Sequence, residues 1–361
     1  MLDQLEIGAP EIAEGVAVLP LRLPGDAIEM QTLSQAVEQG IVEVLESESV
    51  NVLRVGYSTP TPIPVLIPYL QVVTGGKQDR MITAPIILSP AKAEKEVRDI
   101  AVNCVEQGRW TFSRGGEETS SRFQVDQNVR MSPSMGYANV GASQAATWGS
   151  IRKYRAAKAE VVPTEAASSQ SFAEMEEIAQ KVEEEREEIN NSIKSVLSKG
   201  MELIPEQNGI ALFIGKELIG MELYGSSKLW QGQKEAVKNS FVSELSLREI
   251  KDEPIQAEEY EKIVRAALDN LALEEAGTID LGQLFVSKPG KDRDHSALLM
   301  EHENKLAEFY YAKGQAHFVP TESEEQDAIQ IQENVQRMIS PEEAVSQVQR
   351  QEIPDKDLEE K

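Results

Sequence analysis

Gly209-Ile210-Ala211-Leu212-Phe213-Ile214-Gly215-Lys216-Glu217-Leu218-Ile219-Gly220-Met221-Glu222-Leu223-Tyr224 reads as a β-hairpin. Two short apolar runs flank Gly215-Lys216, a two-residue turn of the kind that joins antiparallel strands. Ser296 to Tyr311 repeats the design, with Ala297-Leu298-Leu299-Met300, a polar turn through His302 and Asn304, then Leu306 to Tyr311. Two helical patterns lie between the hairpins. One carries Trp230, Val237, Phe241 and Leu245; the other carries Tyr260, Ile263, Val264, Ala267, Leu268 and Leu271. Hairpin, helices, hairpin makes a four-stranded layer covered by helices the expected architecture of residues 201–320.

Upstream, Ser171-Phe172-Ala173-Glu174 has capping-box spacing and Gly200 is a stop, which predicts a long helix between them. Phe172, Met175, Ala179, Val182, Ile189, Ile193 and Val196 form its apolar seam, and Glu183 to Glu188 its solvated face. The plain reading is a packed helix; the sharper one is a protein-partner or dimerising surface over 172–199. Ala156 to Ser171 reads as a linker, so a segment 157–200 joins the two halves.

Residues 1–156 look β-rich. Strand-like runs cover Ile41 to Leu45, Val50 to Val55, Pro64 to Val73, Arg80 to Leu88 and Glu96 to Phe112, separated by Ser, Pro and Gly clusters. Thr32 and Gln35 predict a short capped helix ending at Gly40. Pro60, Pro62, Pro64 and Pro68 argue against a central strand there and favour an edge or a rigid entry. Gly115 to Ala142 reads as long loops. The fold class is α+β: an antiparallel sandwich or open barrel, a long helix, then the hairpin domain. Residues 321–361 form an acidic tail, expected to be mobile, with at most a marginal helix over Ala328 to Met338.

Composition excludes several functions. The 361 residues carry a net charge of −25, so a phosphate backbone would be repelled and nucleic-acid binding is disfavoured. One cysteine excludes an internal disulfide framework and fits the cytoplasm, and three histidines leave little for a metal site. The acidic start, Met1-Leu2-Asp3-Gln4-Leu5-Glu6, lacks the apolar run of a signal peptide. No apolar run reaches transmembrane length, and no cofactor is implied.

Asn103-Cys104-Val105-Glu106-Gln107-Gly108-Arg109-Trp110 gathers the only cysteine, a carboxylate, an amide, a guanidinium and an indole. In an extended strand Ile100, Val102, Cys104, Glu106 and Trp110 share one face, with Asn103, Val105, Gln107 and Arg109 on the other. Cys104 in that apolar row is a buried hydrophobe unless a base activates it. Glu106 in the same row needs a partner, for which Arg80 and Arg109 are candidates. A bulge at Gly108 would shift the parity beyond it. Gly75-Gly76-Lys77-Gln78-Asp79-Arg80 is either an ordinary hairpin turn or an anion-holding turn, since its exposed N–H groups lie beside two cations. It lacks the spacing of a P-loop.

Lys77 to Arg80, Cys104 to Trp110 and Gln144 to Trp148 resemble the spaced signatures of the ADP-ribosylglycohydrolase- and rhodanese-phosphatase-associated protein domain, a prokaryotic family. Ile210 to Tyr224 and, more weakly, His295 to Tyr311 resemble its hairpins, so the resemblance spans about residues 14 to 320. It implies a role beside ADP-ribose or nucleotide-derivative processing and brings no catalytic residues. The chain departs from the family pattern at Gln71 and Val72, where acidic residues are expected, and at Ala145, where glycine is. Three functions fit these readings. One is an accessory module holding a phosphorylated or ADP-ribose-like molecule through Lys77, Gln78, Arg80, Gln107 and Arg109. The second is a hydrolase using Glu106 as acid or base or Cys104 as thiolate. The third is a scaffold acting through helix 172–199 and the acidic tail.

Overall fold

Thr32 starts the first helix, α1 (Leu33–Glu38), by accepting the Gln35 N–H while the Gln35 side chain accepts the Thr32 N–H. Gly40 then takes φ +66 and ends the turn, as the local spacing predicts. The structure is a computed structural model, and it describes residues 1–25, 28–47, 49–76, 78–106, 122–125, 129–160, 172, 175, 189–250, 255–288, 294–315, 318 and 321.

Strands β1 (Glu6–Ile7), β2 (Glu11–Ala13), β3 (Val16–Arg22) and β4 (Gln31–Thr32) precede or meet that helix. Next come β5 (Val42–Leu45), β6 (Val52–Tyr57), β7 (Val65–Ile67), β8 (Val72–Gly75), β9 (Arg80–Ile82), β10 (Ile86–Leu88), β11 (Val97–Cys104) and β12 (Arg122–Gln124). Six of them close a barrel in the order β11-β6-β5-β12-β8-β9, so the expected antiparallel sheet curls on itself. Its interior is apolar, with Val44, Leu53, Val55, Ile100 and Val102 among the buried side chains.

Two long runs expected as single strands are each divided. Leu70, at φ +64, breaks Pro64 to Val73 into β7 and β8, and a bend breaks Arg80 to Leu88 into β9 and β10. The prolines do not place β7 at an edge. Pro64 and Pro68 flank it, and β7 is central between β10 and β4, where no proline N–H is needed in the ladder. On β11 the expected parity holds: Ile100, Val102 and Cys104 are buried while Val97, Asp99 and Ala101 are exposed. The strand ends at Cys104, and Val105 and Glu106 follow as a buried bend; residues 107–112 of the expected run lie outside the described part.

Two helices lie where loops and strands were expected, α2 (Pro133–Asn139) and α3 (Gln144–Ala159). Every residue of α2 is buried, as are Gln144 to Ile151, so neither helix has the one-sided apolar stripe that betrays an amphipathic helix. Gly136 permits the contact of α2 with the sheet, because a Cβ there would meet the Tyr310 hydroxyl at 1.9 Å.

Of the segment expected as one long helix, Phe172 and Met175 are helical, as is α4 (Ile189–Gly200), and the expected seam residues Phe172, Met175, Ile193 and Val196 all pack in the central core; residues 173–174 and 176–188 lie outside the described part. The hairpins expected at 209–224 and 296–311 form as β13 (Gly209–Ile214) with β14 (Glu217–Tyr224), and β17 (His295–His302) with β18 (Lys305–Lys313). Glu303 and Asn304, both at positive φ, make the second turn. Between them lie α5 (Ser227–Gln231), α6 (Lys234–Leu245), α7 (Ala257–Asp269) and an unforeseen hairpin, β15 (Glu274–Ile279) with β16 (Gly282–Ser287). The expected four-stranded layer is thus part of a nine-stranded sheet, β1-β3-β13-β14-β18-β17-β16-β15, with β2 on β3. β3, from the start of the chain, pairs with β13 over Val16 to Leu21. Tyr260 and Val264 of α7 cover one face, and α2, α4, α5 and α6 lie on the other. The residues after Thr321 lie outside the described part, with the expected acidic tail and its helix. Among the described residues no helix is long and apolar enough to cross a membrane.

Candidate functional site

The β8–β9 turn brings the Lys77 to Arg80 signature beside β11, because β9 pairs with β11 and sets Arg80 opposite Cys104. Gly76 makes the turn at φ +53, where a Cβ would meet the Phe123 ring at 2.5 Å. Asp79 closes it by accepting the Gly75 N–H at 3.0 Å. The Asp79 carbonyl then accepts the Val105 N–H at 3.1 Å.

Glu106 completes the join. One of its carboxylate oxygens accepts the Asp79 N–H at 2.7 Å and the other accepts the Phe172 N–H at 3.0 Å. The carboxylate therefore ties the turn to the helical residue Phe172. The Gln78 amide donates to the Glu106 carbonyl at 2.9 Å and accepts from Arg80 Nη1 at 3.2 Å. Arg80 Nη2 lies 3.7 Å from a Glu46 carboxylate oxygen. Gln78 and Arg80 have no exposed surface, and Glu106 is 2 % exposed. Lys77, Gln107 and Arg109 lie outside the described residues.

Gln144, the first residue of α3, acts as a strand neighbour. Its side-chain oxygen accepts the Cys104 N–H at 2.7 Å and its amide donates to the Cys104 carbonyl at 2.8 Å. Both backbone groups of Cys104 are thereby satisfied at a strand end. Asn103 reaches Thr147 at 2.7 Å, and Thr147 donates to Asn139 at 2.8 Å, linking β11 to α3 and α2. The Cys104 side chain packs with Val50, Ala145 and Trp148. Burial pushes its thiol up to about 11, against the opposing charge of Arg80, so it stays protonated near neutral pH. The described parts of the three signatures, Gln78 to Arg80, Cys104 to Glu106 and Gln144 to Trp148, stand far apart in the chain and form one buried polar frame.

The ARG and Rhodanese-Phosphatase-superfamily-associated Protein domain, ARPP-1, matches residues 4–308. This chain belongs to the ARPP-1 family. The family's name makes it a protein associated with ARG and with the rhodanese-phosphatase superfamily. No curated protein and no solved structure matches the chain.

A second polar cluster of the ARPP-1 domain escaped the sequence reading. Arg130 meets Glu222 through two nitrogens, at 3.1 and 2.7 Å, and Glu308 at 3.4 Å. Both oxygens of Glu308 accept the Tyr69 N–H at 3.2 Å, and the Tyr224 hydroxyl donates to Glu222 at 3.0 Å. All three charged side chains are buried. Burial raises the Glu222 carboxyl, and pushes that of Glu308 up to about 8 against the pull of Arg130. The signal was present in the sequence: each main hairpin holds one carboxylate inside an apolar run. Glu222 follows Met221, and Glu308 sits between Ala307 and Phe309. The cluster fastens the β8 side of the barrel to β14 and β18. Among the described residues no group of three or more His, Cys, Asp or Glu side chains is arranged to hold a metal ion.

Proposed function

We propose that this ARPP-1 protein is an accessory module that binds a phosphorylated or ADP-ribose-like small molecule. Lys77, Gln107 and Arg109 are the ligand-contacting residues in this reading. Gln78 and Arg80, with Glu106, hold the chain on either side of them. A pyrophosphate suits lysine and arginine, and ribose or adenine edges suit an amide. The observation that carries the reading is the convergence of the signatures on one buried frame, from which Lys77 is one residue removed on one side and Gln107 on the other. Such a frame supplies the rigid support that a binding site on loops requires. Isothermal calorimetry with ADP-ribose is the test. Saturable heat is expected, and the absence of heat at millimolar ligand would refute the proposal.

A further inference from the structure

The seam between the barrel and the nine-stranded sheet sets two acids against one base. Arg130 enters it from the chain between β12 and α2 and meets Glu222 of β14 at 2.7 Å and Glu308 of β18 at 3.4 Å. The two carboxylates are diagonal neighbours on the β14–β18 ladder, where Glu222 stands opposite Tyr310 and Tyr224 opposite Glu308. On the barrel side, residues 69–72 and 129–131 run together. The Val72 N–H donates to the Val129 carbonyl at 3.1 Å, the Met131 N–H to the Leu70 carbonyl at 3.2 Å, and Gln71 faces Arg130 in an isolated antiparallel bridge. Two polar attachments cross from this pair of segments to the sheet: the Arg130 guanidinium, and the Tyr69 N–H, which both oxygens of Glu308 accept.

The groups around the seam do not restore the balance. The Tyr224 hydroxyl donates to Glu222 at 3.0 Å, that of Tyr310 to the Pro133 carbonyl at 3.3 Å, and that of Tyr69 to the Gly136 carbonyl at 2.9 Å. Burial raises all three phenols, so they stay neutral. From α6 comes Glu244, paired with Arg248 and accepting the Ser134 N–H, and α2 carries no charged side chain. With both seam carboxylates ionised, one buried negative charge is in excess. The network is also incompletely satisfied. Arg130 Nη1 and the Gln71 side-chain oxygen are buried and have no hydrogen-bond partner among the described residues.

We propose that this seam is a pH-operated latch: one proton held by the Glu222–Glu308 pair keeps residues 69–72 and 129–131 against β14 and β18, and its loss lets them part locally while barrel and sheet stay folded. Glu308 carries the proton, since burial moves its carboxyl from 4.5 to about 8. Opening returns Glu308 to water and to its ordinary value. Closure therefore has the proton's full support below about 4.5, loses it about tenfold per pH unit up to about 8, and levels off above. The imbalance is two charges against one, so neutralising either carboxylate disables the latch. The device is independent of the ADP-ribose reading.

The test is hydrogen exchange of the intact chain read at the Tyr69 amide, the donor to Glu308, with Leu53 in the barrel and Leu212 in the sheet as references. At pH 8 Tyr69 should exchange on the order of a hundredfold faster than either reference, as local opening requires. Its protection, corrected for the intrinsic rate, should fall about tenfold per pH unit between about pH 5 and 8. Glu308→Gln and Glu222→Gln keep the side-chain shape, and each should make the protection of Tyr69 independent of pH. Circular dichroism confirms that both variants are folded; the comparison of Tyr69 with Leu53 and Leu212 in the unaltered chain decides the question without them. Protection of Tyr69 equal to that of the references would show that the seam opens only with the whole molecule and would overturn the proposal. So would a pH-independent Tyr69 in the unaltered chain, or an undiminished slope in either folded variant.

Discussion

Arg130 faces Glu222 and Glu308 in a place water does not reach, so two carboxylates share one guanidinium. An excess buried negative charge is costly, and the inexpensive remedy is a proton. The Glu308 carboxyl accordingly rises from 4.5 to about 8. Across that interval the folded chain keeps a proton that the unfolded chain has released. Its contribution to stability is therefore full below about 4.5 and is lost as pH rises through about 8. Urea denaturation should show this loss, with a slope approaching ~1.4 kcal/mol per pH unit. Glu308→Gln should flatten the slope; an unchanged slope would show that Glu308 does not hold the proton. Arg130→Met leaves both carboxylates buried without their cation and should cost about 3–5 kcal/mol in the same measurement. Glu106 was legible as a residue in need of partners, because a carboxylate in an apolar row must find them. Two of those partners, the Asp79 and Phe172 amides, were not legible, because backbone donors carry no residue signature.

At the scale of elements, what the sequence revealed follows how local the determinant is. The α1 capping box lies within four residues, and the turns at Gly215-Lys216 and Glu303-Asn304 within two, so all three could be read. Helices α2 and α3 are determined by what surrounds them and show no amphipathic stripe. The opposition of Gln144 to Cys104 is tertiary as well. Gln144→Leu would leave the Cys104 N–H and carbonyl without their side-chain partner, at a cost of about 2 kcal/mol or more. Hydrogen exchange should report it as faster exchange at the Cys104 amide than at Leu53 in the barrel core. Gly136→Ala should destabilise as strongly, since the new methyl would displace Tyr310 from α2.

Across the whole molecule, the largest departure from the sequence reading is the sheet's extent. Periodicity identifies strands but not their neighbours, and β3 finds β13 from nearly two hundred residues away. Val16 to Leu21 are buried on both faces there, so deleting residues 1–22 should abolish a cooperative thermal transition. A cooperative transition in the truncated chain would show that the remaining strands suffice. The same scale decides the functional reading, in which a buried frame supports residues that meet the ligand. The most direct measurement pairs ADP-ribose affinity with thermal midpoint in Lys77→Ala, Arg109→Ala and Glu106→Ala. The first two should weaken binding and leave the midpoint in place. Glu106→Ala should lower the midpoint, because it strips the acceptors from two buried N–H groups. Unaltered affinity in both cation variants, or an unaltered midpoint in Glu106→Ala, would contradict that division of roles.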